Sequence, residues 1–241
     1  MPFKVRAKLV SFLGDEEKYP CHFGYRIGDE IIFDGEKFIG RICPWILPAL
    51  ATKVLAVFRA GPRLKEPLPV FAYASISIKD PSRKIYDGIG FKPVLKSQEP
   101  FPGVPPEFFQ WPPPRERIVK KPSVVCGDTR TLAYFELEAI DLADAGDSVT
   151  YFRRQMSILN KVLKKPGIEL DKIIDEFTDF EKYEIYPPLS PVLIRELVEE
   201  LELLHYVEVK DGKVHVTEKG KEKLEIFKRS LSKDEILALN L

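Results

Sequence analysis

The sequence predicts an α+β protein: a small mixed N-terminal domain built round one core helix, followed by a C-terminal winged helix-turn-helix domain. Three observations predict it. The stretch from Ile46 to Phe58 is apolar at helical spacing and flanked by alternating segments. An acidic, small-residue run, Asp141 to Asp147, interrupts the chain. Beyond it the signals come in the order helix, helix, helix, hairpin, helix. The expected domains are 1–141, with an insertion over about 62–122, then a linker over 142–149 and a second domain over 150–241.

In the N-terminal half, Phe3 to Phe12 alternates Val5, Ala7 and Leu9 with Lys4, Arg6 and Lys8, as a half-buried strand does. Glu30 to Phe33 reads as a short strand after the glycine-punctuated turn Cys21 to Asp29. In the helix that follows, Ile46, Leu50, Val54 and Phe58 form one apolar row and Leu47, Ala51 and Leu55 a second. Pro44 suits the first helical position, where its missing N–H costs nothing, so Cys43 is expected at the cap. A thiol there would face the positive end of the helix dipole, which favours the thiolate; packing against Trp45 is the simpler role.

Val70–Lys79 and Ile85–Lys96 predict a hairpin, and eight prolines between Glu99 and Pro122 predict an extended excursion. Leu132 to Ile140 closes the domain as a strand with Ala133, Phe135, Leu137 and Ala139 on its apolar face.

In the C-terminal half, Tyr151–Leu163 predicts a helix and Glu169–Phe177 a shorter one. Ser190-Pro191 opens a third, with Leu193, Ile194, Leu197, Val198, Leu201 and Leu204 inward. Asp211-Gly212 between alternating valines predicts a tight hairpin, and Thr217 opens a helix over Glu218–Arg229. The run Val216-Thr217-Glu218-Lys219-Gly220-Lys221-Glu222-Lys223-Leu224 resembles the segment after the wing in many archaeal and bacterial winged-helix proteins, and the resemblance covers about residues 150–230.

Composition narrows the functional classes. Lys+Arg and Asp+Glu both number 37, so no global charge marks a polyanion binder. A charged share of 31%, with Asn only at 160 and 240 and Gln only at 98, 110 and 155, is a thermophile's composition. The absence of a signal-like start or long apolar run gives a cytoplasmic expectation with no membrane partner. Three widely spaced cysteines do not make a disulfide framework. No Ser-His-Asp order, Walker loop or dinucleotide fingerprint appears, so no catalytic residue is assigned.

Cys21-His22-Phe23-Gly24-Tyr25-Arg26-Ile27-Gly28-Asp29, Cys43-Pro44-Trp45 and Cys126-Gly127-Asp128 resemble, in that order, the motifs of a small cysteine-motif family of anaerobic bacteria and archaea. The resemblance covers about residues 3–140. It departs where Gly127 replaces a common proline and where the stretch between 62 and 122 is extra. It implies no reaction, but it does imply that Cys21, Cys43 and Cys126 converge. A soft-metal site of zinc or iron would then draw on those thiols, with His22 or Asp128 as a fourth ligand. Tyr25, Asp29, Trp45 and Asp128 are the expected ligand-lining residues.

For nucleic acid, Arg195, Lys210, Lys213 and Lys219 are the candidate contacts, against an acidic outward face of Glu196, Glu199, Glu200 and Glu202. A protein partner or homodimer is at least as well served. The resulting expectation is a regulatory or adaptor protein in which the thiol domain binds a metal, redox signal or small ligand. An accessory subunit of an anaerobic enzyme complex, or a small enzyme with Cys43 as nucleophile, are its alternatives.

Overall fold

A computed structural model describes residues 2–64, 66–68, 118–128 and 130–241. The expected hairpin and most of the proline-rich excursion lie outside the described residues. The chain is mixed α+β and divides into two compact units, Phe3–Ala139 and Met1–Pro2 with Ile140–Leu241.

The first unit holds a five-stranded sheet in the order β3-β2-β1-β7-β6. Its strands are β1 (Phe3–Phe12), β2 (Glu30–Phe33), β3 (Phe38–Ile39), β6 (Ser123–Val125) and β7 (Ala133–Leu142). Two short strands, β4 (Glu66–Leu68) and β5 (Ile118–Lys120), pair antiparallel at the base of the long connection. The period-two pattern works as read: Phe3, Val5, Ala7 and Leu9 are buried, and Ala133, Phe135 and Leu137 join them from β7. Helix α1 (Leu47–Ala60) covers this face through Leu50, Val54 and Val57, with Ile46 just ahead of it.

Two details of α1 correct the sequence reading. Its N-cap is Ile46 rather than Cys43, and Pro48 rather than Pro44 occupies the proline-tolerant first turn. Residues 44–46 form a separate turn in which the Cys43 carbonyl accepts from the N–H groups of Ile46 and Leu47. A proline can start a helix at either place, and local sequence does not choose between them. The second apolar row is also not core, since Leu47 and Leu55 are exposed. One sheet face buries a helix stripe narrower than the apolar residues available.

The second unit is organised round α2 (Val149–Lys164), in which every residue from Arg154 to Val162 is buried. The expected helix over Glu169–Phe177 is instead a short strand, β8 (Ile168–Glu169), followed by 3₁₀ turns over Leu170–Glu176. Helix α3 (Pro191–Leu203) starts where Ser190 Oγ accepts from Leu193 N–H, and Ile194, Leu197, Val198 and Leu201 are buried. The hairpin of β9 (Val207–Lys210) and β10 (Lys213–Val216) turns on Asp211 and Gly212, both at positive φ, and β8 completes the sheet in the order β8-β10-β9. Thr217 caps α4 (Glu218–Ser230). A further helix, α5 (Lys233–Ala238), carries a capping box between Ser232 and Glu235.

Charged groups tie both units down. Glu138 takes Arg6 and Lys121, and its hydrogen bond with Arg6 holds the carboxyl below the usual range. Burial pulls Glu181 upward, but Lys161 at 2.9 Å and Thr178 outweigh it and the net shift is downward. A carboxylate with a depressed folded value stabilises above its unfolded value and loses that contribution as pH falls through the folded one. The urea midpoint should therefore hold steady from about pH 7 to about pH 5 and drop below that. Lys161→Met should flatten the drop; an unchanged acid limb in that variant would exclude the Glu181 contribution.

Candidate functional site

The turn after β1 is shaped by backbone needs. Gly24, at positive φ, donates to Cys21 O at 2.8 Å, and Gly28, also at positive φ, donates to Leu9 O at 2.8 Å. Asp29 Oδ2 accepts from Arg26 N–H at 2.9 Å, so this carboxylate closes its own turn. Tyr25 is buried between Phe23, whose ring is tilted against it, and Phe135, which meets it edge to face. Its hydroxyl accepts from Cys43 N–H and donates to Arg41 O, both at 2.9 Å. Burial pushes this phenol upward, which keeps it a neutral strut. Tyr25 thus braces the Cys43 segment and Asp29 the turn before it, and neither is among the residues that line the cleft described below.

The three cysteines are free thiols: Cys43 and Cys126 belong to the N-terminal core, and Cys21 packs against it. They are not equivalent. Cys126 is engaged by the backbone: its sulfur accepts from Ala133 N–H at 3.3 Å, and its thiol points to Asp128 O at 3.8 Å. Burial pushes its ionisation up. Cys43 lies 3.9 Å from His22 Nε2, and His22 Nδ1 lies 3.8 Å from Asp128 Oδ2. Cys21 is half-buried beside them.

The expected metal set of Cys21, Cys43, Cys126 and His22 is not assembled. Among the described residues, no three His, Cys, Asp or Glu side chains are gathered to hold an ion.

The structure instead forms a cleft of about 350 Å³, open to solvent, lined by His22, Trp45, Gly127, Asp128 and Arg130. That volume is in the range of small-ligand sites. Trp45 is 62% exposed and presents an aromatic wall. Asp128 is mostly buried and takes Arg130 Nε at 3.1 Å, and this pairing holds its carboxyl below the usual range. Trp45 and Asp128, two of the residues expected to line a ligand site, border this cleft together with His22. Arg130 was not foreseen, and no sequence signal marks it.

In the second unit the candidate nucleic-acid residues are largely engaged internally. Arg195 pairs with Asp171 at 2.9 Å and Lys210 with Glu208. Lys219 donates to Leu204 O at 2.8 Å and lies over the Tyr206 ring. Lys213 is exposed on β10. The outward acidic face is also smaller than expected: Glu200 is buried and accepts from Gln155 at 2.7 Å, and Glu202 accepts from Val209 N–H at 3.1 Å.

A different surface stands out. Phe180, Tyr183 and Tyr186 are each more than 60% exposed. Their segment is held from beneath by the buried Arg154, which donates to the carbonyls of Glu181 at 2.7 Å, Pro187 at 2.9 Å and Ile185. No helix among the described residues is long and apolar enough to cross a membrane. No protein-family model, curated protein or solved structure matches this chain.

Proposed function

We propose that this chain is a cytoplasmic regulatory or adaptor protein that binds a small molecule through its N-terminal unit and a protein partner through its C-terminal unit. The observation that carries the first half is the cavity that gathers His22, Trp45 and Asp128, one from each cysteine motif, against the Cys43 segment. An aromatic wall, an imidazole and a guanidinium–carboxylate pair suit a planar ligand with an anionic group.

The second half rests on reading α2, the 3₁₀ turns, α3, the β9–β10 hairpin and α4 as a winged helix. Protein contact is favoured over DNA because the rings of Phe180, Tyr183 and Tyr186 face outward together on a segment whose carbonyls Arg154 holds. The same rings support the accessory-subunit reading, in which the partner is an enzyme.

Two measurements test the proposal. A panel of small carboxylated aromatics should raise the melting temperature of the full chain, and Trp45→Ala should abolish the rise. Duplex DNA should bind no more than weakly, while Tyr183→Ala with Tyr186→Ala should lose a stoichiometric protein captured by the wild type. Sub-micromolar DNA affinity that collapses between about 50 and 200 mM salt would overturn the protein-contact half.

A further inference from the structure

The cavity has a thiol behind it. His22 lines the cavity and at the same time touches the Cys43 sulfur with Nε2 at 3.9 Å, while Nδ1 faces Asp128 at 3.8 Å. Thiol, imidazole and carboxylate in this order are the parts needed to take a proton from sulfur and to hold the imidazolium that results. We propose that Cys43 is a nucleophile that exchanges with small disulfides bearing a carboxylate, with His22 as its base and Asp128 as the positioning group. The inference rests on reading the cavity as a small-molecule site.

The neighbourhood of Cys43 selects the substrate class. Acyl transfer needs N–H donors aimed at a developing oxyanion, often those at the nucleophile itself. Here the Cys43 N–H is taken by the Tyr25 hydroxyl, and Pro44 has none. A disulfide makes no such demand, because the charge that develops sits on the leaving sulfur and needs a proton. Arg130 and the Trp45 face then favour a disulfide with a carboxylate and a flat or apolar body.

The step balances without a further reagent. The Cys43 thiol gives its proton to His22 Nε2, and the thiolate attacks one sulfur of the disulfide. A bond forms between Cys43 Sγ and that sulfur as the original S–S bond breaks. The departing thiolate takes the proton from His22. Cys43 is thereby oxidised to a mixed disulfide, and the other half of the substrate is reduced to a thiol.

Access runs through His22. Cys43 is only 4% exposed, whereas the His22 side chain is half-exposed on the turn ahead of Tyr25.

The test uses the full chain with Cys21→Ser and Cys126→Ser, treated with dithiobis(nitrobenzoate), an aromatic dicarboxylate disulfide, or with uncharged hydroxyethyl disulfide. A single mixed disulfide on Cys43, located by peptide mass, is expected. His22→Gln, which keeps most of the bulk, should slow both probes at least about tenfold, and Asp128→Asn should slow both by less. Arg130→Ala should slow the carboxylated probe about tenfold more than it slows the hydroxyethyl probe; equal slowing of the two would overturn the carboxylate preference. No adduct on Cys43 in the folded protein, or a His22→Gln rate equal to the parent's, would overturn the proposal. Should the double variant not fold, the site of the first adduct on the wild-type chain decides instead. Loss of the Trp45-dependent melting shift would count against the cavity, and absence of the adduct against the thiol, so the two readings fail separately.

Discussion

Replacing Arg154 by Met should destabilise the C-terminal unit by about 3 kcal/mol or more, the sum of donors lost to three buried carbonyls at roughly 1–3 kcal/mol each less what water regains. The guanidinium reaches the carbonyls of Glu181, Ile185 and Pro187 from the buried helix α2. Burial disfavours the charged form and lowers its pKa, so Met relieves a desolvation cost as it removes the bonds. The balance still falls on the side of loss, because the carbonyls stay while the donor goes. The urea midpoint reads it; a shift worth less than about 1 kcal/mol would mean the segment rearranges freely into water. The same variant should weaken capture of a partner through Tyr183 and Tyr186, since the rings would lose their support.

Gly220→Ala should lower stability by about 2 kcal/mol, although helix propensity alone predicts a gain of about 1 kcal/mol for Ala over Gly in a helix. Gly220 sits in the first turn of α4, and a Cβ there would lie 2.1 Å from the Tyr206 carbonyl oxygen and 2.9 Å from Val216 Cγ1. That carbonyl also accepts from Thr217 N–H at 3.0 Å, so moving it would disturb the junction between hairpin and helix. A backbone oxygen has no rotamer with which to retreat. An alanine variant with a higher urea midpoint than the parent would show that the junction gives way easily.

The candidate site was legible in part. Cys43, His22, Trp45 and Asp128 stood out as residue types that do chemistry, each inside a dense motif. Their division of labour was not legible. Whether a thiol ligates a metal, accepts an amide N–H or faces an imidazole depends on distances across β1, β7 and the Cys43 turn. A sequence that lacks local ligand spacing does not encode those distances in any one stretch. Cys126 illustrates the point, since its sulfur is occupied by Ala133, seven residues onward. Arg130 escaped notice because an arginine in a loop is unremarkable until its carboxylate and cavity are seen.

Where period and punctuation act locally, the sequence alone determined the structure. Strand β1 follows from alternation, α3 from Ser190-Pro191, and the β9–β10 turn from Asp211-Gly212. These features arise from steric and hydrogen-bonding preferences within a few residues, so no distant partner is needed. Only the tertiary structure decided that α1 begins at Ile46 and exposes Leu47 and Leu55, and that Glu169–Phe177 splits into strand and 3₁₀ turns. The same holds for the Cys43–His22–Asp128 chain. In each case several local arrangements are close in free energy, and packing against a sheet or helix far along the chain selects one of them.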